Sequence, residues 1–276
     1  MSGLPYFDYC LKHLKNEDPN VEKVFGRHVH WGYWEEPGHA KLTVDDFAQA
    51  SENLSQFLIQ KSGVQNGISV LDVGCGFGGT VASINDQFTG MRLTGLNIDD
   101  RQLERARQQV LAAPENTIHF QQGDACALPF ADQSFDVVLA VECIFHFPDR
   151  EVFFREVQRV LKPGGSLAIS DFMVSPFLAP VLPRKLNTGF FGVCDVQYTH
   201  SKYRKLATKC DLDVTFEKNI TKNTLPTYRF LSSKVLGKGK FSFFDVFGWI
   251  TIVFLELISR LNFLKYSIFV FKKKMP

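Results

Sequence analysis

Residues 70–79, VLDVGCGFGG, constrain the chain more than any other stretch. A short apolar run of strand length carries the backbone into Gly74, Gly76 and Gly78. Without side chains at these positions the main chain can approach a ligand closely. A helix predicted directly after the turn would aim its free N–H groups at the same place. Strand, glycine turn and helix in this order open the nucleotide-binding α/β folds.

The pattern repeats downstream. ISVLDVG (68–74), MRLTGLNI (91–98), TIHFQQ (117–122), FDVVLAV (135–141) and SLAISDF (166–172) read as strands. Between them, residues 79–88 and 101–113 have helical spacing, the latter with Leu103, Ala106 and Val110 on one face. Residues 149–161 form an amphipathic helix expected to turn Val152, Phe153, Val157, Val160 and Leu161 inward and to stop at the breaker KPGG. Strands alternating with helices at this interval imply parallel pairing through right-handed crossovers, hence an open, doubly wound α/β sheet. A chain of 276 residues can bury such a core as one domain with appended segments.

Three segments stand outside the alternation. Residues 1–62 read as a mostly helical lid before a core at 63–276, with HVHWGYW (28–34) between two helical stretches. Residues 173–199 and 222–262 read as cap insertions. In the second, VFGWITIVFL (246–255) is apolar, but Asp245, Glu256 and Arg260 interrupt a run that would need roughly 20 apolar residues to span a bilayer. Asp245, Gly248, Glu256 and Ser259 share one helical face, so a helix with a narrow polar stripe packing on the protein is expected; the alternative is an amphipathic helix lying on a membrane surface. The residues after it, 265–271, read as a last strand.

The glycine turn has the spacing G-x-G-x-G-G with Asp72 two residues before it, and so resembles motif I of the class I S-adenosyl-L-methionine (SAM)-dependent methyltransferases. GDACALPFADQSFDVVLAVECIFHFPD (123–149) and VLKPGGSLAISDF (160–172) resemble later motifs of that family in the same order, together over about a hundred residues. The resemblance implies a seven-stranded Rossmann-like sheet whose last strand lies antiparallel between strands five and six. It also implies SAM as cofactor and S-adenosyl-L-homocysteine as product. Asp72, Gly74, Cys75 and Gly76 would then border the cofactor, and Asp124 with Ala125 would meet the adenine amino group, unless Asp124 is only a turn residue.

The second strand ends on Asn97, where many nucleotide-binding folds place an acid. In the branch resembling tocopherol methyltransferases and cyclopropane synthases, an uncharged residue stands there with a Gln five positions on. Here Asn97 and Gln102 would share the ribose hydroxyls and Ile98 would cover the adenine, with Asp99 capping the next helix. The bland alternative for Asn97 is turn chemistry. The stretch at 28–36 resembles an H-x-G-Y-W element of the same branch, which implies Tyr33 at the SAM carboxylate; the alternative is a hydrophobic staple between helices, the expected role of Trp31. Glu142 and His146 follow strand four, at the edge where such folds bind ligands. His146 is a candidate base or a packing histidine, and Glu142 contacts SAM or orients that histidine.

The expected activity is methyl transfer to a small-molecule acceptor, first an O-methylation of a hydrophobic or aromatic natural-product-like hydroxyl. The alternative is N- or C-methylation of an amine, isoprenoid or lipid-like molecule, at a membrane surface or not. Phe177, Leu178, Phe190, Phe191, Tyr198, Tyr228 and Phe230 are candidates to wall the acceptor pocket or to form the core of the caps. An NAD-dependent oxidoreductase is the rival that the glycine spacing disfavours, and a non-catalytic SAM-binding or membrane-associated module is another. With 31 basic against 29 acidic residues the chain has no footprint for nucleic acid, and no metal is called for. Six cysteines without disulfide spacing and the N-terminal MSGLPYFDYC suggest reduced thiols and a cytoplasmic monomer or homodimer.

Overall fold

The computed structural model describes residues 4–15, 19–236 and 243–275. Its centre is a seven-stranded sheet built from β1 (Ser69–Val73), β2 (Arg92–Asn97), β3 (Thr117–Gln122), β4 (Phe135–Val141), β5 (Leu161–Val174), β8 (Leu212–Asn219) and β9 (Leu264–Lys273). The order is β3-β2-β1-β4-β5-β9-β8, and β9 alone runs antiparallel to its neighbours. The last strand therefore lies between the fifth and sixth core strands, as expected. Its direction has a plain cause. β8 leaves the sheet beside Ser267, and the two helices that follow, α8 (Thr221–Leu236) and α9 (Phe243–Arg260), return the chain to the same edge, where Leu264 pairs with Val174. A strand starting from the edge just left can only run back.

Alternation along each strand splits the core into two layers. On one face Leu71, Val138, Leu167 and Phe269 meet α6 (Arg150–Val160) and α7 (His200–Lys209). On the other, Val70, Leu139, Ala168 and Ile268 meet α3 (Val44–Ser62), α4 (Gly79–Gln87) and α5 (Asp100–Gln109). Two further helices, α1 (Pro5–Lys15) and α2 (Pro19–Phe25), precede α3. The cap after β5 carries a small antiparallel pair, β6 (Lys185–Asn187) and β7 (Val193–Asp195).

Local chemistry explains three departures from the sequence reading. α5 stops at Gln109 rather than 113, because Ala113 precedes Pro114 and Asn85 takes the backbone of Leu111 and Ala113 into its own amide hydrogen bonds. The KPGG stretch does not separate α6 from β5 but belongs to β5. Leu161 pairs with Phe135 and Ser166 with Val137, so the extra residues form a bulge around Gly164, whose φ is +73°. On α6, Val152 is exposed and Phe154 is buried with Phe153, Val157, Val160 and Leu161; the inward face is rotated by about one residue from the expected one.

Arg150, the first residue of α6, is fully buried. It pairs with Asp171 of β5, donates to the Tyr203 hydroxyl and to the Asp195 carbonyl at 2.8 Å, and lies 4.2 Å from the Tyr198 ring centre. This network ties α6, β5, α7 and the cap to one another.

α9 packs on the protein with part of its polar stripe turned inward. Ser259 is buried against the Tyr228 hydroxyl at 2.9 Å and Glu256 is largely covered and paired with Arg260, while Ile250, Phe254 and Leu257 face outward. Ser259 and Glu256 thus lie on the protein side together with the partly covered Ile252 and Leu255, while the stripe of Ile250, Phe254 and Leu257 does not; the side chain of Asp245 lies outside the described residues. Among the described residues no helix is long and apolar enough to cross a membrane.

Candidate active site

β1, buried at every position, delivers the chain to Gly74 with φ +75° and Gly76 with φ +55°. A Cβ on Gly74 would come within 2.8 Å of the Cβ and Sγ of Cys143, so the turn and the loop after β4 meet closely only because that position is glycine. At Gly79, the first residue of α4, a Cβ would meet the Arg27 carbonyl at 2.4 Å and the His28 ring at 2.5 Å. The extended segment 27–30 thereby lies directly on the N-terminus of α4. The recess between these parts has an empty volume of about 430 Å³ counting its open mouth. Its floor is Asp72, Gly74, Cys75 and Gly76, one wall is Val141, Glu142 and Cys143, another is Arg27, His28, His30 and Thr80, and Tyr6 and Phe7 of α1 cover it.

Two carboxyls face this space, Asp72 buried and Glu142 partly buried. The Asp72 carboxyl has no hydrogen-bond partner among the described residues, and burial pushes its pKa up to about 7. Glu142 stands in a left-handed conformation, φ +51°, which is uncommon outside glycine, and its surroundings hold it there. They do so through Tyr266, whose hydroxyl donates at 2.6 Å, through the Trp31 N–H at 3.0 Å, and through Ser170, which accepts the Glu142 N–H. Burial raises its pKa to about 8, against the lowering pull of the Tyr266 and Trp31 hydrogen bonds. Among the described residues of the lining, Arg27 is the one Lys or Arg side chain, and it is already engaged by Asp86 and Glu52. A cationic guest suits such a recess better than an anionic one.

At the end of β2, Asn97 and Gln102 are both buried and joined by an amide hydrogen bond of 2.9 Å. Asn97 also accepts from the Asp99 N–H, and each amide keeps an N–H to offer a vicinal diol. Asp99 caps α5 by accepting from the Arg101 N–H, and its hydrogen bonds from the Arg101 side chain hold its carboxyl below the usual range. Ile98 is half exposed beside them. The Gly123 N–H donates to the Asn97 carbonyl, which brings Asp124 alongside; Asp124 accepts from the Cys126 N–H, and Ala125 is buried next to it. Neither Asn97 and Gln102 nor Asp124 borders the recess itself. They continue from it along the sheet edge, as the parts of an elongated nucleoside ligand would require.

His146, in a short turn after β4, donates through Nδ1 to the Val193 carbonyl at 3.2 Å, since only an N–H can bond a carbonyl. Nε2 is left with its lone pair, 3.5 Å from the Tyr6 hydroxyl. Burial lowers the pKa to about 4, so the ring is neutral at ordinary pH. Tyr6 borders the recess and His146 stands behind it.

Tyr33 is placed elsewhere. Its ring packs on Phe57 and its hydroxyl meets Lys218 at 3.4 Å, on the side of the 28–34 segment that faces the core. The residues of that segment that reach the recess are the consecutive His28, Val29 and His30. His28 is held by Glu52 at 2.7 Å, and His30 by Ser55 at 3.0 Å, with its pKa pushed down to about 3 by burial and by His28. Trp31 is a packing residue against Tyr228 and Phe172. Nothing in residues 28–34 shows which side chains meet the recess, and nothing in residues 1–15 marks Tyr6 as a neighbour of His146. Of the aromatic residues expected in an acceptor wall, Tyr228 and Phe230 are core residues and Phe177 is exposed, whereas the Phe191 ring lies 6.2 Å from Tyr6. The side chain of Phe190 lies outside the described residues.

A family described as a methyltransferase domain matches residues 71–169. Methyltransferase GfsG of Streptomyces halstedii is 36% identical over 213 residues, covering 75% of this chain and 73% of that protein. The 2-methyl-6-phytyl-1,4-hydroquinone methyltransferase of Synechocystis sp. is 40% identical over 159 residues, 56% of this chain and 48% of its own. Among solved structures, the cyclopropane synthase MmaA2 of Mycobacterium tuberculosis shares the fold with a TM-score of 0.76 at 15% identity, over 99% of this chain and 100% of that one.

Proposed function

The chain belongs to the methyltransferase domain family and is a SAM-dependent methyltransferase of small molecules; on that premise we propose that it methylates a hydroxyl group of a largely apolar acceptor. When bound, SAM supplies a methyl group on a cationic sulfur. In this reading the glycine turn and Asp72 hold its amino-acid portion, Asn97 and Gln102 take the ribose hydroxyls, and Ile98, Asp124 and Ala125 border the adenine. Asp72 and Glu142, raised in pKa by burial and short of cations, favour a positively charged cofactor over its uncharged-sulfur product.

The observation that carries the choice of a hydroxyl is the state of His146. Its Nδ1–H is committed to the Val193 carbonyl, so Nε2 is the free base, and Tyr6 connects it to the recess. A base of pKa about 4 is weak against a resting hydroxyl. It suffices as the C–O bond forms, because the oxygen then becomes far more acidic than an imidazolium. The proton leaves through Tyr6 to His146 while α1 and the cap keep water out. A second reading, C-methylation of an electron-rich ring, is favoured by the name of the Synechocystis relative. Methyl-labelled SAM incubated with phenols, hydroxylated polyketides, hydroquinones and amines, with the product mapped by NMR, separates these readings. Label on oxygen is expected; turnover confined to amines, or label on ring carbon alone, would end the hydroxyl reading.

A further inference from the structure

An exposed apolar side chain is unremarkable alone, but a contiguous set marks a surface that meets something other than water. Ten of the fourteen large apolar side chains that stand exposed among the described residues belong to the two caps, at 173–199 and 243–263. On α9 they fall at Ile250, Val253, Phe254, Leu257 and Leu261, spacings of three and four that make one continuous stripe. Phe263 follows them, and its carbonyl accepts from the Ser175 N–H at 2.8 Å, which joins α9 to the cap bearing Phe177 and Val181. The polar residues that an aqueous helix would turn outward, Ser259 and Glu256, are the covered ones.

From this exposed stripe we infer that the outer face of α9, continued by Phe177 and Val181, docks on an anionic lipid surface. Charge selects this occupant. Among the described side chains of residues 222–265, Lys222, Arg229, Arg260 and Lys265 stand against Glu256, a net of +3 in a chain whose total is +2. Two copies meeting through this face across a twofold axis would bring like charges together, whereas anionic headgroups would neutralise them. Docking is in the plane of the interface: 18 residues of helix reach only about 27 Å, and Glu256 and Arg260 lie within them. The face adjoins the cap that provides Phe191 beside Tyr6, so a lipid-soluble acceptor would enter from the docked side. The inference concerns attachment and does not depend on which acceptor atom is methylated.

Flotation with vesicles tests it on the full chain. The wild-type protein is expected to float with phosphatidylcholine–phosphatidylglycerol vesicles, less with phosphatidylcholine alone, and less as salt is raised. The double variant Phe254→Glu/Leu257→Glu should partition at least about tenfold more weakly while keeping its circular dichroism and its affinity for S-adenosylhomocysteine. Wild-type protein that stays with the soluble fraction for both vesicle types, or floats irrespective of lipid charge and salt, overturns the inference. So does a dimer in sedimentation velocity that the double variant dissolves, since a second copy would then cover the face.

Discussion

Cofactor binding should release a proton, and Asp72 sets how much. Its pKa of about 7 in the free protein comes from burial without a hydrogen-bond partner. The sign follows directly. A carboxyl raised from near 4 favours the folded, cofactor-free chain fully below about pH 4, and that contribution is lost as pH rises through about 7. If a cation of SAM takes up the ionised form, affinity tightens with pH across the same window. With a pKa of about 7, about 3% of Asp72 is ionised at about pH 5.5 and about 90% at about pH 8. The dissociation constant should therefore fall about thirtyfold between those values, equivalent to about 2 kcal/mol. Glu142, raised to about 8, stays largely protonated through most of this range. Isothermal titration in buffers of different ionisation enthalpy reads both the constant and the proton released, and the rise in melting temperature caused by SAM should grow in step. Asp72→Asn should flatten the pH dependence and bind weakly throughout. A wild-type dissociation constant constant to within about twofold over the range, with no buffer-dependent heat, would refute this account of Asp72.

Removing Asn97 takes away half of a buried amide pair, so Asn97→Ala should weaken SAM about five- to thirtyfold, measured by titration. Asp99→Ala should leave affinity nearly unchanged and cost about 1 kcal/mol of stability, visible in urea unfolding, through loss of the α5 cap. His146→Ala should keep SAM affinity and slow turnover about 10²- to 10⁴-fold on the true acceptor; unchanged turnover removes it as the base. Arg150→Ala strands the Asp171 carboxylate in the interior and should cost about 3–5 kcal/mol in chemical denaturation, whereas a loss below about 1 kcal/mol would show that the network does not hold the cap to the sheet.

What the sequence determined by itself is local in origin. Alternation with period two and spacing near 3.6 are properties of neighbouring residues, and they placed the strands and the helices of the core. The glycine turn needs only its own missing side chains, and Asp99 caps the helix two residues on, so both were legible before any tertiary contact existed, whereas the amide hydrogen bond from Asn97 to Gln102 appears only in the structure. Short separation also limits precision. The α6 face came out one residue off because both Val152 and Phe154 are apolar, and only the layer above them selects Phe154.

Tertiary structure decided the rest. His28 and His30 line the recess while bonding Glu52 and Ser55 of α3, whereas Tyr33 packs on Phe57 of the same helix and does not border it. Tyr6 reaches His146 across 140 residues of chain, a closure that no pattern along the sequence encodes. The pKa values of Asp72 and Glu142 depend on how much water the surrounding layers exclude. α9 is the clearest case. Its amphipathic period was visible in the residues, but amphipathicity states only that the two faces differ; which face meets the protein is settled by what it packs against, and here Tyr228 offers a hydroxyl to Ser259 and leaves the apolar stripe outside.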